Sequence, residues 1–393
     1  MKRTGTCILG GVVGLALWLS PSGAGADYVA TVVMSGLDNP RGLAWGPDGS
    51  LYVSEAGIGG DGPSIVSGDG QTVYYGPSGA LTRLRNGVQE RVLTGLPSLA
   101  ADGGGNATGL QDIAFGASGE LFGVIGLGAN PDARSELGAV GAEFGRLVRL
   151  PLDGGPVAGL ANLADYEASV NPDGGAFDTN PFGLVAAPGG GFLVTDAGAN
   201  AVLGVTDQGV ISTLAVLPPR PNPLFPDFGP PTFQAVPTGI ALGPDGAAYF
   251  GQLTGFPFPA GEANIYRLDP TTGELVVAFG GFTTLMDLAF GPDGALYALQ
   301  LTTDGLASPT GPGPGVLSRI DLLTGTRTVI ASDGLSFPTA MAFGPDGAIY
   351  VTNQGTSAGQ GQVIRIAAVP EPSTLALLGL GLVGLVGYAR RGR

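Results

Sequence analysis

Residues 286–300 read Met-Asp-Leu-Ala-Phe-Gly-Pro-Asp-Gly-Ala-Leu-Tyr-Ala-Leu-Gln, and this stretch decides the fold. Apolar residues at period two lead up to Gly-Pro-Asp-Gly, and a second apolar run leaves it. Proline presets φ at the corner and glycine supplies φ > 0, so the stretch reads as a β-hairpin. The phrase recurs at 46–49, 243–246 and 344–347, with weaker copies Gly-Ala-Ser-Gly at 116–119 and Ala-Pro-Gly-Gly at 187–190. The six copies are 70, 71, 56, 48 and 53 residues apart. Two more apolar segments follow in most units, such as 80–85 with 91–95 and 265–268 with 275–279. Four antiparallel strands in each of six units predict an all-β, six-bladed β-propeller.

The ring is expected to close on itself. The sixth unit has a third strand at 363–367 and then no fourth. Residues 28–37 (Tyr-Val-Ala-Thr-Val-Val-Met-Ser-Gly-Leu) have no blade of their own and resemble the fourth strands before other blades. They are predicted to complete blade six, which hides an otherwise exposed sheet edge. The core of one domain this long is then divided among six blade interfaces, where a single compact core would split.

Composition narrows the chemistry. Of 393 residues, 72 are Gly and 32 Pro, which disfavours long helices. The chain carries −15 and has no His; its one Lys is Lys2 and its one Cys is Cys7. Residues 27–369 hold 12 Arg against 31 acidic residues, a net −19. This balance argues against nucleic acid as a partner. Without His, Lys or Cys in this region there is no imidazole for a Ser-His-Asp or Cys-His site and no lysine for a Schiff base. Zinc would find only carboxylates, and no disulfide staples the fold.

The two ends read as addresses. Met1-Lys2-Arg3, an apolar stretch to Leu19 and Ala24-Gly25-Ala26 form a secretory signal peptide over 1–26. The C-terminus has Pro370-Glu371-Pro372, an apolar Gly-rich run over 375–389 and a terminal Arg cluster. Taken alone, the run reads as a short membrane anchor with a positive cytoplasmic end. The three parts in order closely resemble the PEP-CTERM sorting signal of Gram-negative bacteria. That resemblance implies recognition by an exosortase, transient membrane anchoring by the tail 370–393, and delivery to the cell envelope or extracellular matrix. The propeller is assigned to 27–369.

Topology puts the turns on one face and the long insertions on the other. The insertions are 57–79, 126–145, 164–180, 217–235, 253–262 and 302–315, and loops of this length on a rigid scaffold usually carry function. The ends of the second strands there read Glu55, Ile125, Asp196, Gln252, Gln300 and Asn353. The first strands supply Arg41 and, one position on, Asp112 and Asp287. These residues form either a central polar site, with calcium as its possible ion and Glu55 and Asp196 as candidate ligands, or solvated strand ends that hydrogen-bond loop amides. Asn171, Asp173, Asp178 and Asn180 form a second oxygen-rich stretch. It orders either around Ca²⁺ or as a hydrogen-bonded Asx-turn loop, and it lacks the EF-hand spacing. Phe256 and Phe258, each followed by a proline, offer a stacking surface or pack as a lid. The aspartates of the Pro-Asp-Gly turns read as turn residues.

Several phrases resemble the ScyD/ScyE family of exported bacterial propellers. They are Asp165-Tyr166-Glu167, 171–175, 178–183, 236–238 leading to 251–259, and 126–131, and the resemblance runs over about 28–368. It implies an exported propeller, with members in gene clusters for the pigment scytonemin, and it supplies no catalytic residues. Three functions follow: a non-catalytic binding propeller for a small molecule, glycan or protein, an accessory protein of secondary metabolism, or a calcium-dependent lactonase-like hydrolase. The last resembles the SMP-30-like lactonases, which share six blades of the NHL/SMP-30-like type. Their metal ligands lie largely at the starts of inner strands, where this chain has Arg41, Gln111, Phe182, Thr238, Met286 and Thr339 and no carboxylate.

Overall fold

Each Gly-Pro-Asp-Gly phrase joins the two inner strands of a blade, as its turn chemistry requires. The computed structural model describes residues 17–19 and 28–369. Six sheets are arranged as blades around an axis, each running from an innermost first strand to an outermost fourth. The innermost strands are Pro40–Trp45, Leu110–Phe115, Pro181–Ala186, Pro237–Leu242, Leu285–Phe290 and Met341–Phe343. Their second strands are Leu51–Glu55, Leu121–Ile125, Phe192–Asp196, Ala248–Gln252, Leu296–Gln300 and Ile349–Asn353.

Ring closure is as the sequence predicts. Tyr28–Leu37 pairs antiparallel with Gly361–Ala368, from Tyr28 opposite Ala368 to Leu37 opposite Gly361, and becomes the fourth strand of blade six. Leu17–Leu19, within the segment read as a leader, pairs outside it with Tyr28–Ala30 and is not needed for closure. The rest of that leader, the cleavage site and the sorting tail from Pro370 lie outside the described residues, as does the 375–389 run read as an anchor. Among the described residues no helix is long and apolar enough to cross a membrane.

The turn phrase is a small repeated machine. In the fifth blade Asp293 Oδ1 accepts the Ala295 N–H at 3.2 Å, while Oδ2 accepts the Tyr297 hydroxyl and the Arg319 Nε–H at 2.7 Å. Asp245 with Tyr249 and Arg267, and Asp346 with Tyr350 and Arg365, repeat the arrangement. Asp48 keeps Tyr52, with Arg85 further off at 3.8 Å. The phrase must open with glycine because the tyrosine ring lies across it: a Cβ on Gly291 would stand 2.6 Å from Tyr297.

Those tyrosines also join the blades. Tyr52 meets Phe115, Tyr249 meets Phe290, Tyr297 meets Phe343 and Tyr350 meets Trp45, all edge to face. Phe122 and Phe192 join blades two and three. Each such pair adds about 0.5–1.5 kcal/mol beyond its buried area. Six large apolar clusters follow, one at each blade interface. A second belt is polar: the Thr339 hydroxyl donates to the Pro40 carbonyl across the closing seam, and Thr238 donates to Leu285 in the next blade.

The insertions depart most from the simple repeat. In blade one the pair expected over 80–85 and 91–95 grows to Thr72–Arg85 and Val88–Ala100. Residues read as loop continue the ladder, with Tyr75 opposite Leu99, and Ser64–Val66 adds a short flanking strand. The second insertion folds as a kinked 3-10 segment, Pro131–Glu143. The third begins with a helix, Leu163–Val170, capped by Asn162 and ended by Asn171 at positive φ.

Candidate functional site

The loop face carries the predicted residues, and the structure sorts them by what their polar atoms already hold. Glu55 is fully buried. Its Oε2 accepts the Asp38 N–H at 2.6 Å and the Arg91 guanidinium at 2.7 Å, and its Oε1 accepts Arg91 Nε–H at 3.0 Å and the Thr82 hydroxyl. Asp196, also fully buried, accepts the Thr179 hydroxyl at 2.6 Å and the N–H groups of Asn180, Gly198 and Ala199. Gln252 bridges the Asn264 N–H and the Ala235 carbonyl. Gln300 accepts the Thr283 N–H, and Asn353 holds the Ser336 N–H and the Gly334 carbonyl. In five blades, then, the second-strand end fastens the chain that leads into the first strand of the same blade. The two candidate metal ligands Glu55 and Asp196 lie in separate networks of this kind.

Asp112 and Asp287 are placed differently. An innermost strand has free edge N–H groups facing the channel, and a buried donor must be paired. Asp112 accepts its neighbour Ile113 N–H and, at 2.8 Å, the Leu184 N–H of blade three. Asp287 accepts Leu288 N–H and, at 2.7 Å, the Met341 N–H of blade six. Blades two and five are opposite in a ring of six, so the two carboxylates stand on opposite sides of the channel, near enough for the charge of Asp287 to act on Asp112. Gly42 and Gly239 make room for them, since a Cβ at either position would strike the neighbouring aspartate. Burial pushes Asp287 up to about 7. Burial, and then the charge of Asp287, raise Asp112 well above the ordinary carboxylate range. Among the described residues neither pairs with an arginine.

Arg41 begins the innermost strand of blade one and is buried, with one hydrogen bond, to the Ala107 carbonyl at 2.8 Å. Burial lowers its guanidinium to about 10, which leaves it charged, and its Nε has no partner. In the same register position of blade two, Gln111 Oε1 is also buried without a partner.

The third insertion brings Asn171, Asp173, Asp178 and Asn180 into one loop. Asp173 is engaged by the Gly175 N–H at 2.7 Å and Asn200 Nδ2 at 2.9 Å. Next to them stands Glu167, 1% exposed, which sequence reading passed over as a site residue. Its place in an eight-residue helix gave no sign that it faces inward. Burial and the charge of Asp196 raise Glu167 to about 7 and Asp178 to about 6. Among the described residues no three His, Cys, Asp or Glu side chains are grouped to hold a metal.

Phe256 and Phe258 lie in the connection after Gln252, against the 217–235 insertion. Phe228 and Phe256 meet edge to face at 5.3 Å, and Phe256 and Phe258 at 6.2 Å. Phe225, Phe228 and Phe256 remain about half exposed, with Leu224 beside them. The loop under them is pinned by buried Asn222, whose Nδ2 donates to the Phe228 and Pro230 carbonyls at 2.8 Å.

Comparison with known proteins bears on the tail and on the fold. Residues 368–393 match the PEP-CTERM protein-sorting motif. The chain is therefore an exported β-propeller with a tail that implies recognition by an exosortase. No curated protein matches it. Among solved structures it is similar to a gluconolactonase from Xanthomonas campestris, at 13% identity and TM-score 0.53, over 91% of this chain and 98% of that one. It is also similar to a putative oxidoreductase (glucose dehydrogenase) from Thermus thermophilus, at 18% identity and TM-score 0.50, over 86% and 99%. These likenesses establish the NHL/SMP-30-like propeller fold.

Proposed function

We propose that this exported propeller is a non-catalytic binding module of the cell envelope or extracellular matrix, holding a glycan, small molecule or protein on its loop face. The observation that carries this reading is the exposed aromatic group Phe225, Phe228 and Phe256 on two insertions, the first of them pinned by Asn222. Flat aromatic rings with one open face suit sugar rings or apolar ligands, and a pinned loop loses little entropy on binding. Most polar residues around the channel mouth are already committed to the backbone, which leaves the aromatic surface as the best-formed contact area.

Two observations favour other readings. Burial raises Asp287 to about 7 and Asp112 well above the ordinary carboxylate range, the direction a general acid requires, and a gluconolactonase shares the fold at the level of analogy. The ScyD/ScyE-like phrases favour an accessory role in secondary metabolism, for which neighbouring genes are the test.

The full chain should be assayed against matrix polysaccharides and aromatic small molecules beside the double variant Phe228→Ala/Phe256→Ala. A tenfold or greater loss of affinity in the variant is expected. Binding that ignores the double substitution, or no binding by the wild type, removes this reading. Lactone turnover that disappears in Asp287→Asn would replace it with the hydrolase.

A further inference from the structure

Four oxygen atoms in one insertion are buried without a hydrogen-bond partner among the described residues: Glu167 Oε2, Asn171 Oδ1, Asp178 Oδ1 and Asn180 Oδ1. Buried polar atoms in folded proteins are nearly always paired, so four orphans in fourteen residues of chain require an explanation. All four are acceptors. What they lack is a donor or a cation.

We propose that Glu167 and Asp178, with the amide oxygens of Asn171 and Asn180, form a binding site for one hard divalent cation, with the ligand chemistry of calcium. Hydrogen bonds tie Glu167 to Asn171 and to Asp178, and Asn180 follows two residues on, its Oδ1 against Gly126. Glu167 lies in the helix Leu163–Val170, and its Oε1 faces the Asp178 N–H at 3.4 Å. Asn171 caps that helix, and its N–H bonds the Glu167 carbonyl. The orientation of the Asn171 amide is set by its NH₂ group, which donates to the Gly175 carbonyl at 3.0 Å, so the oxygen is the free end. Thr179 is bridged to Ala129 and sends its hydroxyl to Asp196. In an extended segment this places the side chains of Asp178 and Asn180 together on the opposite side.

Nothing cationic from the protein serves the group. Among the described residues Glu167, Asp173, Asp178 and Asp196 form no ion pair, and Arg134, the arginine of this region, is spent on Asp165. Two carboxylates and two amides are a hard, all-oxygen set. Calcium accepts six to eight such ligands in flexible geometry, whereas magnesium demands a near-ideal octahedron and zinc prefers nitrogen and sulfur. Two carboxylates fall short of the three acidic or imidazole groups that usually mark a metal centre, so water would complete the shell.

The position gives the ion a task. Asp178 stands against Gly68, at the tip of the blade-one hairpin, and the Gly68 N–H bonds the Gly128 carbonyl of blade two at 2.7 Å. A cation here fastens the loops of the first three blades to one another. This role is independent of whatever the aromatic surface binds. In an exported protein the ion is met outside the cytoplasm, where modules with dissociation constants of about 10⁻⁴–10⁻³ M are loaded.

The test uses the full chain stripped with EDTA, its melting followed in millimolar CaCl₂ or MgCl₂, and calcium binding measured by calorimetry. We expect one ion per chain and a calcium-induced rise in Tm of about 3 °C or more, reversed by EDTA. Magnesium should give a smaller rise. Glu167→Gln and Asp178→Asn should each abolish the calcium response while melting in EDTA no lower than the wild type. If either variant does not fold, terbium emission sensitised by Tyr166 in the wild type decides: emission displaced by calcium supports the site, and none overturns it. A wild type without a calcium response, or a response that survives both substitutions, also overturns it.

Discussion

Asp287 and Asp293 lie six residues apart on one hairpin and end in opposite electrostatic conditions. Asp293, in the turn, is also pushed up by burial, yet the hydrogen bonds of Arg319 and the Ala295 N–H hold it below the ordinary range. Asp287, in the channel, has only two backbone N–H groups, and burial drives it to about 7. The turn face repeats its solution in the blades of Asp48, Asp245, Asp293 and Asp346. The channel places an aspartate only in blades two and five, without a counter-charge among the described residues. Repetition with a partner marks architecture; an unpartnered pair marks the place where the fold tolerates an electrostatic cost.

The largest test of that difference is Asp287→Asn. The folded-state pKa of Asp287 is above its unfolded value, so between about pH 4 and 7 the folded protein binds more protons than the unfolded chain. Stability from this group therefore falls as pH rises through that window, by up to about 4 kcal/mol. The asparagine keeps an acceptor for the Met341 N–H and has no charge to bury. Denaturant midpoints at pH 5 and pH 8 should converge in the variant, with a gain at pH 8. An unchanged pH slope would show that Asp287 does not ionise at a cost.

Arg91→Ala sharpens the comparison with a third case, because Glu55 is more deeply buried than Asp287 but paired like Asp293. Removing Arg91 strands the Glu55 charge. The expected loss is about 3 kcal/mol at pH 7, reduced from a fully buried pair because Arg91 is partly exposed. The loss should shrink in Glu55→Gln/Arg91→Ala. Equal losses in the single and double variants would mean that the pair contributes packing and not charge.

Asp293→Ala should have the smallest effect. It removes an Asx-type turn bond and a half-exposed ion pair to Arg319, about 1 kcal/mol, with stability unaltered in its pH slope above pH 5. A loss equal to that of Arg91→Ala would erase the distinction between turn and buried acids.

Much of this architecture was legible in the letters. The Gly-Pro-Asp-Gly phrases placed six hairpins, and the spare strand 28–37 closed blade six, because period-two patterning and turn chemistry are local. The second-strand column was legible as polar but not in its purpose. Whether Glu55 faces a channel or Arg91 depends on residues 36 positions away. Glu167 was invisible for the same reason: in an eight-residue helix any face can be buried, and only the neighbouring loops decide which.

The sequence by itself determined the repeat, the number of blades, the closing strand, the absence of His, Lys and Cys chemistry from 27–369, and the sorting tail. These follow from residue type and short-range spacing. Only the tertiary structure decided which acids are neutralised. It gave Arg319 to Asp293 and Arg91 to Glu55, left Asp112 opposite Asp287 across the axis, and turned four oxygens of one insertion inward without a donor among the described residues. The reason is physical: the cost of a charge depends on what surrounds it within a few ångströms, and in a ring of blades those surroundings come from distant parts of the chain.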